Sequence, residues 1–303
     1  MRALGKGVMA LLWASAFVIG GLATMYTPAL TVSFWRQSSA APVMALIAWA
    51  GGGLWPRRSE VGRVIAVGVL LQGVQFAGIY MALSQGVPAG LAALVVGSSP
   101  MLVAIAGTMF YGERMRRVQW FGSALGLVGV VCAIADELHG TVTPVGLLLV
   151  LAGLCGLTGG VLIQRHHPSR ADPRCALCLQ LLAAAIFLAP LAAIGPGFHV
   201  DLEYRAVAPI AWLVVPSTLG TLLFFWLLKQ EGGGEATGFI YLVPSVTAIA
   251  AVPILDQSLA PGVVVGLVLS LIGLNLIGRA DQYEPDPVGQ TVTDPVTPTG
   301  ADR

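Results

Sequence analysis

Ten apolar stretches, each close to the length of a membrane-spanning helix, follow one another along this chain of 303 residues. A transmembrane α-helix needs about 20 predominantly apolar residues to cross the hydrocarbon core. Only 10% of the residues are charged, against roughly 25% in a soluble domain, which excludes an ordinary soluble enzyme. The sequence therefore predicts an all-α polytopic membrane protein with ten transmembrane helices, at approximately 7–25, 30–52, 64–84, 89–110, 118–135, 145–164, 175–194, 206–228, 237–255 and 262–277.

The basic residues fall almost entirely on one side of this arrangement. Lysine and arginine near helix ends resist translocation and mark cytoplasmic segments. With the N-terminus inside, fourteen basic residues lie in cytoplasmic segments, Arg205 lies on the opposite side, and Arg36 lies within the second stretch. This asymmetry predicts a bacterial inner (plasma) membrane protein with both termini cytoplasmic. Residues 281–303 are polar and proline-rich, and are predicted to form a disordered cytoplasmic tail.

Charge and ligand chemistry exclude several other classes. Sixteen basic and fifteen acidic residues nearly cancel, so the basic field that binds nucleic acid is missing. Cys175 and Cys178 form one Cys-x-x-Cys pair without a second pair of ligands, which makes a metal site a poor interpretation. We expect no metal or cofactor. A membrane-embedded enzyme would need an acid, histidine or nucleophile constellation, and the pair His166-His167 alone does not supply one.

An internal repeat divides the chain. Sliding the sequence by 144 residues aligns ten identical residues within forty positions, and the prolines and glycines are the informative ones. A repeat of five helices enters the membrane from the opposite face in its second copy, which is a transporter architecture. The matching residues are Gly90, Ala92, Pro100, Ala104, Ile105, Ala106, Gly122, Leu125, Leu127 and Gly129, with Gly234, Ala236, Pro244, Ala248, Ile249, Ala250, Gly266, Leu269, Leu271 and Gly273.

Several short motifs accompany this repeat. They are Trp13-Ala14-Ser15-Ala16-Phe17, Pro28, Arg36, Ala82-Leu83, Pro100, Gly112-Glu113-Arg114, Gln119, Gly122 and Gly129. In these features the chain resembles the EamA branch of the drug/metabolite transporter superfamily, over about residues 6–279. The second half departs from the pattern, with Asp256-Gln257 in place of Gly-Glu and Leu157 in place of a tryptophan.

The resemblance implies an architecture and a class of activity. It implies two EamA repeats of five transmembrane helices each, residues 1–138 and 139–280, ahead of the tail. It also implies export of small metabolites, amino acids or drugs from the cytoplasm, without naming a substrate.

Arg36 is the basic residue predicted to lie inside a span. An ionisable residue within the bilayer is costly and usually functional. One interpretation is a structural cation that ties helices through its planar fork of donors; the other is a binding site for an anionic substrate group. At the repeat offset its counterpart is Gln180. The structural interpretation is favoured.

Two prolines at equivalent depth point to a candidate substrate site. Pro100 and Pro244 each remove a helix hydrogen bond and are predicted to kink their spans. Freed backbone groups in a membrane must face protein or a water-filled cavity. Packing kinks alone are the other interpretation. The candidate substrate-binding residues of this region are Ser98, Ser99, Tyr241 and Ser245.

Further candidates lie on the first and third spans. Gln72, Gln75 and Tyr80 are spaced to share roughly one helical face, and buried amides need partners, so this face is predicted to look inward. Trp13 is a candidate aromatic wall of the cavity, although packing alone explains it as well.

These observations combine into one expectation. We expect an exporter of a small neutral or zwitterionic metabolite, such as an amino acid, that works by alternating access; a proton-coupled drug exporter is the alternative within transport. Because all fifteen acids lie in loops, tails or helix ends, that alternative is disfavoured. The expected partners are the lipid bilayer and a small-molecule substrate. A homodimer through the small-residue run Gly122-x-x-x-Gly126 is the less favoured use of that run.

Overall fold

The computed structural model describes residues 2–138, 142–195, 197–223 and 242–281, and all regular structure in these ranges is helical. Within these ranges, twelve α-helices and two short π-helical segments, π1 and π2, follow one another. They are α1 (Arg2–Tyr26), α2 (Ala29–Ala50), α3 (Arg58–Gly68), π1 (Val69–Val74), α4 (Gln75–Ser84), α5 (Ala89–Gly97), α6 (Ser99–Tyr111), α7 (Arg117–Leu138), α8 (Pro144–His166), α9 (Pro173–Ile194), α10 (Tyr204–Val215), π2 (Pro216–Gly220), α11 (Val243–Leu255) and α12 (Pro261–Asp281).

Seven helices within the described ranges are long and apolar enough to cross a membrane. These helices show a multi-pass membrane protein. They are Gly7–Tyr26, Arg58–Ser84, Ala89–Tyr111, Arg117–Leu138, Pro144–His166, Pro173–Ile194 and Tyr204–Leu223.

Three further helices occupy the remaining predicted spans. Helix α2 has 22 residues but carries the polar run Arg36-Gln37-Ser38-Ser39. Helix α11 and the apolar part of α12, Pro261–Ile277, are shorter than the other spans. Residues 224–241, which hold the end of the predicted eighth span and the start of the ninth, lie outside the described residues, as does the predicted tail beyond Asp281.

The fourth span is divided in two by a break at Ser98. There α5 ends and α6 begins, and the Ser98 N–H donates to the Val95 carbonyl at 3.1 Å. Pro100 lies in the first turn of α6, where a missing N–H costs no intrahelical hydrogen bond. The predicted kink at Pro100 therefore takes the form of a helix break two residues earlier. Pro244 lies likewise in the first turn of α11.

The loops rich in arginine come together at one end of the bundle. The Asp172 N–H donates to the Leu54 carbonyl at 2.8 Å, and Glu113 forms an ion pair with Arg165 at 3.1 Å. At the opposite end, the Thr31 hydroxyl donates to the Gly197 carbonyl at 2.6 Å. The segment 51–57, the segment 112–116 and the segment 167–172 thus share one face, which we call the arginine-rich end.

Helices α7 and α12 pack along a seam of small residues. A Cβ added at Gly122 would lie 2.6 Å from the Gly273 carbonyl oxygen, and one added at Gly129 would lie 2.8 Å from that of Gly266. Between these contacts the Ser270 hydroxyl donates to the Gly126 carbonyl at 3.2 Å, across 144 residues. The pairing order shows that the two helices run antiparallel. The predicted small-residue run is therefore used inside the chain, where it lets the two backbones approach closely.

A second set of glycines lets α8 approach the third span. A Cβ added at Gly153 would lie 2.9 Å from the Gln75 carbonyl oxygen, and one at Gly156 would lie 2.8 Å from that of Leu70. Helix α8 also packs on α5 and α6, while α1 packs on α10 and α11, and α2 packs on α9. The interior between these helices holds the site described next.

Candidate functional site

The guanidinium of Arg36 lies buried between three helical segments. Its Nε donates to the Ser217 hydroxyl of π2 at 2.7 Å, and its Nη1 donates to the Tyr80 hydroxyl of α4 at 2.9 Å. Arg36 is 3% exposed and Tyr80 is fully buried. We call Arg36, Phe76, Tyr80 and Ser217 the arginine centre. It joins α2, from the first half of the chain, to the third and eighth spans.

Aromatic rings complete the surroundings of this cation. The Arg36 Cζ atom lies 3.4 Å from the centroid of the Phe76 ring, a distance at which the ring face attracts a cation. The rings of Phe76 and Tyr80 lie 5.9 Å apart. A side chain at Gly20 of α1 would collide with the Tyr80 ring. The absence of a side chain at this glycine therefore lets α1 close over the arginine centre.

The partners of Arg36 are neutral. Within the described residues, no Asp or Glu oxygen lies within 4.0 Å of its guanidinium. The Ser217 hydroxyl donates its own proton to the Leu213 carbonyl at 2.9 Å, so it accepts from Arg36 and cannot donate to it. A buried charge is costly unless it is hydrogen-bonded or paired. Two hydrogen bonds and the face of the Phe76 ring offset that cost here.

The next residue, Gln37, contacts the other π-helical segment. Its Nε2 donates to the Gln72 carbonyl of π1 at 2.7 Å, while its buried Oε1 has no hydrogen-bond partner in the described part of the chain. π-helical turns disturb the i to i+4 ladder and are frequent at functional sites. Consecutive residues of α2 therefore bind both π-helical segments, π1 through Gln37 and π2 through Arg36.

Of the candidates Gln72, Gln75 and Tyr80, Gln72 lies in π1, whereas Gln75 and Tyr80 both lie in α4. Gln72 contributes its carbonyl to the bond with Gln37, and the Gln75 backbone packs against Gly153 and Gly156 of α8. Of the three, only Tyr80 is part of the arginine centre. The π turn inserts an additional residue and so changes the direction of Gln72 relative to α4. Gln75 and Tyr80 are five residues apart in α4, which places them about 140° apart around the helix axis.

Trp13 lies beside the second π-helical segment. A Cβ added at Gly220 would lie 3.4 Å from the Trp13 Nε1 atom. Nearby on α1, the Ser15 hydroxyl accepts a hydrogen bond from the Trp212 Nε1 at 3.0 Å. Both tryptophans therefore line the contact of α1 with the eighth span.

Ser98 and Ser99 behave differently although they are neighbours. The Ser98 hydroxyl donates to the Val95 carbonyl in its own turn at 2.6 Å. The Ser99 hydroxyl shares a hydrogen bond of 3.2 Å with the Thr158 hydroxyl of α8. Both serines are buried. Ser99 thus links the two halves of the chain, while Ser98 bonds its own backbone.

Pro244, in the second half of the chain, packs on a helix of the first half. A Cβ added at Gly97 would lie 2.8 Å from the Pro244 Cγ atom, so Pro244 sits against the end of α5. Ser245 is half-buried one residue later. Tyr241, the remaining candidate of this region, lies outside the described residues. The ligand-binding role of these residues stays a prediction.

The motif Gly112-Glu113-Arg114 ends the fourth span. Gly112 has φ 69°, a left-handed conformation that favours glycine, and closes α6. The Glu113 carboxylate lies 2.9 Å from the His166 Nε2 and 3.1 Å from an Arg165 nitrogen. Arg114 is exposed. The motif therefore fixes the end of the fourth span to the end of α8 at the arginine-rich end.

Sequence reasoning missed three members or neighbours of the arginine centre, namely Gln37, Phe76 and Ser217. Gln37 and Ser217 carried a usable signal, because each is a polar residue within a predicted span. Phe76 carried none, since an aromatic residue in an apolar span is ordinary.

Comparison with known families decides the class of this chain. The sequence profile of the EamA-like transporter family matches residues 7–135 and again residues 144–279. The chain belongs to the EamA-like transporter family. The family and the names of its relatives indicate a transporter rather than an enzyme.

Named relatives of this chain match it over much of its length. It is 28% identical over 291 residues to a protein of Streptantibioticus cattleyicolor named "Probable terminal-alkyne amino-acid exporter", covering 91% of this chain and 94% of the relative. It is 28% identical over 222 residues to a protein of Escherichia coli named "Probable amino-acid metabolite efflux pump", covering 70% and 74%.

The fold is also similar to that of a solved protein. A crystal structure with 18% sequence identity superposes with a TM-score of 0.63, covering 93% of this chain and 99% of the other. At this identity the likeness concerns the fold alone.

Proposed function

We propose that this chain exports a small neutral or zwitterionic metabolite, such as an amino acid, across the bacterial inner membrane by alternating access. Its ten helices form two inverted repeats, residues 1–138 and 139–280, and both termini are cytoplasmic. Transport is the activity of the family, and both relatives described above are named for amino-acid substrates.

The seam between α7 and α12 carries the proposal of inverted repeats. At the 144-residue offset, Gly122 corresponds to Gly266 and Gly129 corresponds to Gly273. The contacts are reciprocal, since Gly122 meets Gly273 and Gly129 meets Gly266. Ser270 bonds its own counterpart, Gly126. Reciprocal contacts in an antiparallel pair are what a two-fold axis in the membrane plane requires.

Other contacts are paired in the same way. Under the repeat, α1 corresponds to α8. Helix α1 packs on α10 and α11, and α8 packs correspondingly on their counterparts, α3 and α6. Shifting π1 by 144 residues gives 213–218, which overlaps π2 (Pro216–Gly220). Two copies in opposite orientation supply inward-open and outward-open arrangements of comparable energy, which alternating access requires.

The polar groups of the interior favour a solute without a net positive charge. Arg36 brings a cation to the interior, and no acidic side chain of the described residues pairs with it. A cationic drug would meet repulsion there, whereas the carboxylate of an amino acid would not.

Metabolite release and purified transport together test the proposal. The medium of an overexpressing strain is expected to accumulate amino acids or related metabolites that a deletion strain retains. Proteoliposomes with the purified protein should then exchange the identified solute, while empty liposomes should not. Accumulation of a cationic drug substrate, or transport that depends on an imposed pH gradient, would favour the drug exporter instead.

The formation of a homodimer is a separate proposal. A homodimer would need a surface other than the α7 and α12 seam, because that seam is already occupied within the chain. Light scattering of the detergent-solubilised protein, corrected for detergent mass, distinguishes a monomer from a dimer.

A further inference from the structure

A cavity of about 230 Å³ opens at the arginine-rich end, and none of its lining residues belongs to the arginine centre. It lies between α3, the end of α8, the following loop and the start of α9. Its polar wall contains Glu60, Arg63, Gln164, His167, Ser169 and Gln180, and its apolar wall includes Val64, Val67 and Leu177.

Gln180 is a buried polar residue of this cavity without a hydrogen-bond partner in the described part of the chain. Gln180 is 8% exposed and lines the cavity, and its amide forms no hydrogen bond within the described residues. Leaving a buried polar group unsatisfied costs about 1–3 kcal/mol. The small exposed part of this side chain faces the cavity, so its amide is satisfied from there, by water or by a ligand.

The guanidinium of Arg63, on the cavity wall, is also available to bind a ligand. Arg63 lies one turn after Glu60 on α3, yet no ion pair joins them in the described part of the chain. The Glu60 carboxylate instead accepts from the Arg57 N–H at 3.1 Å, the Ser169 hydroxyl at 3.2 Å and the Arg170 N–H at 3.3 Å. Glu60 thus fixes the loop, while the Arg63 guanidinium remains open to a ligand.

We propose that this cavity is a loading site that binds the carboxylate of the solute on the cytoplasmic side, an inference that rests on the proposed function. A guanidinium binds a carboxylate through two parallel charge-assisted hydrogen bonds. Arg63 binds the carboxylate in this way. The Gln180 amide forms hydrogen bonds with the other polar groups of the solute, and Val64, Val67 and Leu177 contact its apolar part.

The inverted repeat gives this site a counterpart. Gln180 corresponds to Arg36 at the 144-residue offset. Arg36 is held by Tyr80 and Ser217, whereas Gln180 has no such partner among the described residues and lines the cavity. The bundle is therefore open to a solute beside Gln180 and filled by side chains around Arg36.

Direct binding to the purified protein tests the site. The protein is placed in phosphatidylcholine nanodiscs and titrated with a mixture of the twenty ¹⁴C-labelled L-amino acids. Arg63→Gln and Gln180→Leu are each expected to weaken binding about tenfold, which corresponds to about 1.4 kcal/mol. Arg116→Gln, which removes an exposed arginine on another loop of the same end, is the matched control and should bind normally.

Competitors identify the recognised group. Unlabelled amino acids should displace the label, and the same amino acids with amidated carboxyl groups should do so at least tenfold less well. Equal competition by the amides, or unchanged binding in both cavity variants that remain monodisperse, would overturn the proposal. A second set of nanodiscs containing phosphatidylglycerol tests a lipid phosphate as the ligand; saturation of the site by that lipid in place of amino acids would also overturn it.

The two proposals fail in different ways. Protein that exports amino acids but shows no Arg63-dependent binding refutes the loading site alone. Protein that binds amino acids in the cavity but does not move them in proteoliposomes refutes the proposed transport.

Discussion

Arg36 and Tyr80, 44 residues apart in the sequence, are joined by a hydrogen bond of 2.9 Å from the guanidinium to the phenol. Both side chains are buried, and the second bond of the guanidinium reaches Ser217 in the other half of the chain. The Arg36 guanidinium therefore connects the second, third and eighth spans.

Removal of the Tyr80 hydroxyl should destabilise the folded protein. Tyr80→Phe leaves a buried charged donor without its acceptor, which costs about 1–3 kcal/mol, and should lower the melting temperature in size-exclusion thermostability measurements. Tyr204→Phe is the control, because Tyr204 is 85% exposed. Equal melting temperatures for the two variants would contradict a stabilising role of this bond.

Arg36→Lys should reduce the amount of folded protein although it keeps the charge. An ammonium lacks the planar fork that reaches both Ser217 and Tyr80. Fluorescence-detected size exclusion measures the monodisperse fraction, with Arg58→Lys as the control. A variant that accumulates normally but has a selectively raised KM would instead assign Arg36 to substrate recognition.

Gly273→Ala should separate α7 from α12. A methyl group at this position would collide with the Gly122 carbonyl oxygen, and overpacking of this kind typically costs about 1–3 kcal/mol. Gly62→Ala on α3 is the control, since a Cβ there meets no atom within 4 Å. The melting temperatures of both variants are compared in the same detergent. An unchanged melting temperature for Gly273→Ala would show that α7 and α12 move apart without loss of stability.

Ser99 and Thr158 should be energetically coupled. In a double-mutant cycle of Ser99→Ala and Thr158→Val, their shared hydrogen bond predicts a coupling energy of about 0.5–1.5 kcal/mol. Thr108→Val on the same helix is the control, because the Thr108 hydroxyl bonds the Ile105 carbonyl of its own turn. Additivity of the Ser99 and Thr158 variants would remove this link between the halves.

The arginine-rich end is expected to face the cytoplasm. A periplasmic phosphatase fused after Arg117 should be inactive, and a cytoplasmic fluorescent reporter at the same position should be bright, because fourteen basic residues lie on that side in the predicted topology. Fusions after Leu202 serve as the opposite control. An active phosphatase after Arg117 would reverse the orientation.

Much of the helical framework was accessible from apolar length and the repeat. The predicted spans 7–25 and 145–164 lie within α1 and α8, and the 144-residue offset pairs the glycines that meet along the seam. Length and small-residue spacing suffice for this, because a bilayer fixes how long a helix must be and glycine permits close contact.

The geometry of the interior was not accessible in the same way. α-Helical spacing predicts roughly one face for Gln72, Gln75 and Tyr80, but Gln72 lies in π1, whose backbone contacts α2 and α8. The role of Ser217 depends likewise on a partner distant in sequence, Arg36. Periodicity reports local backbone conformation, so it cannot report which remote group compensates an irregular turn.

The seam between α7 and α12 has a consequence for the ancestry of the chain. The contact of Gly122 with Gly273 is equivalent under the repeat to the contact of Gly129 with Gly266. A single five-helix polypeptide inserted in both orientations would therefore carry both sides of this interface and could dimerise through it. Cutting the chain between α7 and α8 leaves this surface whole. The fused gene is then a way of guaranteeing equal numbers of the two orientations, which separately inserted copies would have to achieve by chance.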